Sequence, residues 1–123
     1  MIGRVILSGL AFFQVVATPF YDFDRRHVFN PAWPPHARYH AAALTLLHMA
    51  LGALSLWLLW LRPELTVLAA LLLSFSSAVT LTAALVPGVS RYADGDRSFF
   101  GHPISLWMMA LYLLLTIVGW LLV

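Results

Sequence analysis

Residues 65–86 read LTVLAALLLSFSSAVTLTAALV, a run without a single charge. At 1.5 Å of rise per residue, about 20 helical residues cross a roughly 30 Å hydrocarbon core. Three more segments reach that length: 2–21, 41–61 and 104–123. Only the first carries a formal charge, Arg4, and it also holds Gln14. Val15-Val16-Ala17 resembles a small-residue cleavage site, as in a secretory leader. A lone Arg4 makes a thin positive n-region, so a first membrane helix is the expectation. Barrel strands would alternate apolar and polar residues. These segments are apolar all round, and lipid then demands helices that satisfy their own backbone.

Composition agrees. The chain has 123 residues, 62% hydrophobic and 10% charged, against about 45–50% and about 25% in soluble domains. Without cysteine there is no disulfide or thiolate metal site. A net charge of +2, spread without a run, gives no argument for nucleic acid. The expected fold is all-α: an integral membrane four-helix bundle in one domain, with approximate spans 2–21, 36–61, 64–86 and 103–123.

Pro63, in the LRPE link, suits a helix start and makes a tight hairpin. The two longer connections, 22–35 and 87–103, then face the other side together. Arg25, Arg26, Arg38, Arg91 and Arg97 lie on that side, and Arg4 and Arg62 on the opposite one. The positive-inside rule therefore places the long loops in the cytoplasm. The two connections share a faint repeat. DFDR (Asp22 to Arg25) and DGDR (Asp94 to Arg97) each sit close to a tyrosine and lead to a Pro-His or His-Pro pair. Parallel repeats about the membrane normal are one way to build such proteins.

NPAWPPHARYH, residues 30–40, concentrates the polar chemistry. Pro34-Pro35 presets a helix start. His36 and His40 are then i, i+4 on one face, while Arg38 points about 200° away from His36. Cations at a positive helix N-terminus oppose the dipole. Three resolutions remain open: neutral histidines acting as bases or ligands, an anion captured by amides and Arg38, or Arg38 paired with Asp22, Asp24, Asp94 or Asp96. If the site is catalytic, acid–base chemistry of the isomerase, cyclase or hydratase type fits best. His36 or His40 would be the base, Asp24 or Asp94 the orienter or acid, and Arg38 the charge stabiliser.

Substrate-binding candidates are Trp33 as a stacking surface, Asn30 at a turn, His102 at the fourth helix, and Gln14 with His48 inside the membrane. An ionisable group at that depth is a functional hypothesis by default. His48 has candidate partners in Gln14, Thr18, Ser74, Ser76, Ser77 and Thr80. The small hydroxyl residues also read as close-packing positions. No cofactor is required by the sequence, but a divalent metal on His36, His40, His102 and Asp96 is one possibility. HExxH is absent, and five histidines are too few for a membrane di-iron hydroxylase. DxD pairs suggest magnesium with a diphosphate only weakly. Bis-His haem on His40 and His102 is geometrically open.

The run from His27 to His40, HVFNPAWPPHARYH, resembles the signature of a family of small, uncharacterised four-helix membrane proteins, approximately H-x-F-N-P-x-W-P-P-H-A-R-[FY]-H followed at once by a membrane helix. The resemblance covers some fourteen residues. It implies the four-helix architecture and singles out this loop, and it supplies no mechanism. In outline the bundle is similar to the emopamil-binding, sterol isomerase-like membrane proteins. Those carry intramembrane carboxylates, whereas no Asp or Glu lies inside a span here, so their chemistry is not transferred.

The expected function is binding of a small hydrophobic or lipid-like molecule at one membrane face, between helices one, two and four, with acid–base conversion of that molecule as its catalytic form. Membrane lipid is the implied partner. The competing readings are an accessory or docking subunit, alone as a homo-oligomer or with a partner membrane subunit, and a metal- or haem-binding redox subunit.

Overall fold

The computed structural model describes residues 1–83, 85–89 and 98–123. It holds four long helices: α1 (Ile2–Asp22), α2 (Pro35–Leu61), α3 (Thr66–Ala83) and α4 (Ile104–Leu121). All four are long and apolar enough to cross a membrane. Boundaries follow local chemistry. Pro34 is extended (φ −54°, ψ 145°) and Pro35 is the first helical residue, where a missing amide costs no hydrogen bond. Pro63 opens a short 3-10 turn, Pro63–Leu65, before α3. Thr66 Oγ1 donates to the Pro63 carbonyl at 2.8 Å, and Arg62 pairs with Glu64. The tight hairpin expected at LRPE is thus present.

One element was not expected. Ser98–Phe99 and His102–Pro103 form a two-residue antiparallel ladder, β1 and β2, turned by Phe100 (φ 50°) and Gly101 (φ 73°). His102 therefore lies in a strand, and α4 starts only at Ile104, behind Pro103.

α1 packs on α2 and α4, and α3 packs on the same two. The bundle is therefore a square, with α2 and α4 across a diagonal. Sites where backbones must approach carry glycine. A Cβ on Gly52 would stand 2.8 Å from the Ala11 carbonyl of α1. A Cβ on Gly3 would run into the Gly119 carbonyl and the Leu122–Val123 backbone, which joins the two chain ends at one end of the bundle. The apolar core, Leu7, Leu58, Leu59, Ala69 and Leu73, fills the half nearer those ends. Thr45, Ser55, Ser74, Thr80 and Thr116 each donate to the carbonyl four residues back. Such back-bonding satisfies a hydroxyl within its own helix. These positions need no ligand, in line with a packing role.

Candidate functional site

The polar residues divide into an interior node, a rim loop and the first turns of α2. The node begins at Gln14, only 4% exposed. Its Nε2 donates to the His48 carbonyl of α2 at 2.9 Å. Its Oε1 accepts the Tyr112 hydroxyl of α4 at 2.6 Å and the Ser76 hydroxyl of α3 at 3.3 Å. The His48 ring joins through Nε2, 3.5 Å from Thr80 Oγ1. All four helices contribute. Gln14 lies eight residues from Asp22, about 12 Å of rise below the rim. Of the partners named for His48 from sequence, Thr80 reaches its ring, and Gln14 reaches its backbone carbonyl. Tyr112 was missed, although its position was readable: a lone phenol in an apolar span, as far from its helix start as Gln14 is from its helix end.

Nearer the rim, Thr45 is 1% exposed and donates to Asp22 Oδ2 at 3.1 Å. This contact joins the last residue of α1 to α2 and uses the first carboxylate of DFDR.

The rim loop is organised by the second. Asp24 Oδ1 accepts the amides of Arg26 (2.9 Å) and His27 (3.0 Å), and Arg26 Nε donates to Oδ2 at 2.7 Å. His27 Nδ1 stands 2.9 Å from Oδ1. Partial burial pushes the Asp24 carboxyl up, but the hydrogen bonds from the Arg26 and His27 side chains and the Arg26 amide outweigh it and hold it down to about 2. Asn30 bridges the remainder. Its Nδ2 donates to the Arg26 carbonyl and its Oδ1 accepts the Ala32 amide. Trp33 meets the His27 ring edge-on at 6.1 Å. Asp24 and Asn30 thus hold the loop together, and Asp24 bonds Arg26 and His27 rather than His36 or His40.

The structure separates the residues that begin α2. Arg38 is two turns above Thr45 and four above Gly52, both buried, so it falls on the inward face. Its Nε is buried and has no hydrogen-bond partner among the described residues. His36 and His40 are exposed, with Nε2 atoms 3.0 Å apart and rings crossed at 85°. Tyr39 stacks on His36. The helix has no side-chain cap and no acidic residue in its first turn.

His102 is exposed in the hairpin, its ring 6.2 Å from Trp107. Trp107 Nε1 anchors the hairpin by donating to the Phe99 carbonyl. Among the described residues no three of His, Asp and Glu gather where they could hold a metal. Asp94 and Asp96, with Arg91, Tyr92 and Arg97, lie outside the described residues. A shallow apolar pocket of about 100 Å³ between α3 and α4, lined by Val67, Ala70, Leu71, Ser74, Thr116 and Trp120 among others, contains none of the catalytic, substrate-binding or metal-binding candidates. No protein-family model matches the chain, and neither a curated protein nor a solved structure matches it.

Proposed function

We propose that this is an integral membrane protein that holds the anionic head of a lipid-like molecule at Arg38. Lipid is the natural solvent for the outer surface. Phe12, Phe20, Leu71, Phe75, Leu111 and Leu114 are all more than half exposed. Water would meet far more apolar area than the few hundred Å² a soluble monomer shows in one patch. The long connections face the cytoplasm in this reading, following the arginine excess.

The observation that carries the binding site is the Arg38 guanidinium. Its Nε is buried without a partner, and a buried donor left unpaired costs about 1–3 kcal/mol, more when charged. It stands at an uncapped helix start, where the first amides have no intrahelical acceptor. A phosphate or carboxylate there would satisfy the Nε and oppose the positive end of the helix dipole at once. Its apolar tail would lie along the outer helix surface. Binding is favoured over acid–base catalysis because the described carboxylate nearest in sequence, Asp24, is engaged by Arg26 and His27 and does not orient His36 or His40.

The test uses the whole protein in phosphatidylcholine nanodiscs with and without phosphatidylglycerol, extracted mildly and weighed intact. Wild type should retain an anionic lipid that Arg38→Gln loses, with about tenfold weaker retention for a lost charge-assisted bond of roughly 1.5 kcal/mol. Equal retention by both proteins would end the reading.

A further inference from the structure

The outward face of the same turns carries an independent site. Two imidazoles whose Nε2 atoms are 3.0 Å apart can share one hydrogen. With both rings protonated, like charges at that distance would repel. The pair is therefore shaped for one positive species between two nitrogen lone pairs. Metal ions are ligated by imidazole at about 2.0–2.1 Å. Nitrogens 3.0 Å apart then subtend about 94° at a shared metal at that bond length. This matches the cis angle of a tetragonal or octahedral centre, and it is too narrow for the tetrahedral geometry that zinc favours.

The surroundings select further. The positive end of α2 and the Arg38 charge in the same turn oppose any cation. Only an ion with high imidazole affinity overcomes that opposition, and the Irving–Williams order puts copper(II) first. Magnesium and calcium prefer oxygen ligands and find none in the pair.

We propose that His36 and His40 form a two-imidazole chelate for a late first-row divalent ion, copper(II) ahead of nickel(II) and zinc(II), with water at the remaining positions. Chelation needs both rings in the Nδ1–H tautomer. With one ring in the Nε2–H tautomer and its hydrogen shared with the other Nε2, that hydrogen moves to the first ring's Nδ1 through solvent, with no net change in proton count when both rings start neutral. The site does not depend on the lipid reading, because Arg38 lies on the other face of the helix.

The test is copper(II) titration of the full chain, purified without a histidine tag and stripped with chelator, read by equilibrium dialysis and electron paramagnetic resonance. Wild type should take up one copper with coupling from two imidazole nitrogens. His36→Gln and His40→Gln should each weaken it by more than the roughly tenfold that a lost outer-shell partner costs. His102→Gln should leave it intact. Both pair residues are exposed, so helicity by circular dichroism should match wild type in every variant. Wild-type stoichiometry and spectrum in the His36→Gln/His40→Gln double variant, or no uptake by wild type, would overturn the site.

Discussion

Gln14 and Arg38 both project from inward helix faces, and they meet opposite circumstances. Gln14 uses both ends of its amide, on partners from the three other helices. Arg38 keeps a buried nitrogen with no partner among the described residues. A polar group that spends its hydrogen bonds on neighbouring helices binds those helices to one another. One left unsatisfied adds nothing to the bundle and retains its capacity for something outside it. Interior polarity at Gln14 is therefore a fastening, and the buried Arg38 Nε is an open donor among the described residues.

The sharpest way to break this contrast is to pry the node apart sterically. Gly52 lets α1 come close enough for Gln14 to reach the His48 carbonyl. A Cβ there would stand 2.8 Å from the Ala11 carbonyl and 3.3 Å from Gln14 Cβ. Gly52→Val should cost about 3 kcal/mol or more, the upper end of overpacking. The comparison is Ala37→Val on the exposed rim, expected within about 0.5 kcal/mol of wild type. Unfolding in mixed detergent–dodecyl sulfate micelles, followed by circular dichroism, reads both. Equal losses would mean that the α1–α2 approach is not what supports the node.

A smaller effect comes from removing the fastening group itself. Gln14→Leu deletes three interhelical hydrogen bonds. Such bonds in membrane proteins average about 0.6 kcal/mol and reach about 1.7, so a loss of about 1–2 kcal/mol is expected. Tyr112→Phe should cost less than Gln14→Leu. The double variant should fall short of their sum, because the two side chains share one bond. Arg38→Gln should be neutral or stabilising in the same assay, since it removes a charge whose Nε is buried and unpaired. A loss at Arg38 as large as at Gln14 would erase the distinction.

The two regions were not equally legible in the sequence. Four helices long and apolar enough to cross a membrane, the Pro63 hairpin and the Pro34-Pro35 helix start follow from length, apolarity and proline chemistry, and all are present. His48 and Gln14 stood out because polar groups are scarce in apolar spans. The Tyr112 link was hidden because it depends on which helices are neighbours, and helix order around a bundle has no one-dimensional signature. Spacing alone put Arg38 away from His36, but not which of the two faces the bundle. That required the burial of Thr45 and Gly52. The loop was misjudged in one respect for a local reason. Asp24 looked free to orient a histidine on α2, yet its own neighbours Arg26 and His27 close on it first.

The weakest expected effect tests whether the rim loop is a self-contained unit, separate from the bundle below it. Asp24 is held down to about 2 from an ordinary 3.8. A carboxylate whose pKa is lowered in the folded state adds stability above its unfolded value and loses it as pH falls through the folded one. The Asp24 contribution should therefore be whole above about pH 4 and disappear between about 4 and 2. Because the side chain is partly exposed, the change should appear as local opening, with global unfolding unaffected. Amide exchange at Arg26 and His27, whose N–H groups bond Asp24 Oδ1, should speed up across that window relative to each amide's intrinsic rate. Amides in the middle of α1 and α2 should stay protected. Asp24→Asn keeps an acceptor oxygen but drops the charge. It should show the faster exchange at every pH, with no inflection. If loop and helix amides lose protection together in wild type, Asp24 fastens the bundle as Gln14 does, and the division between rim and interior fails at this residue.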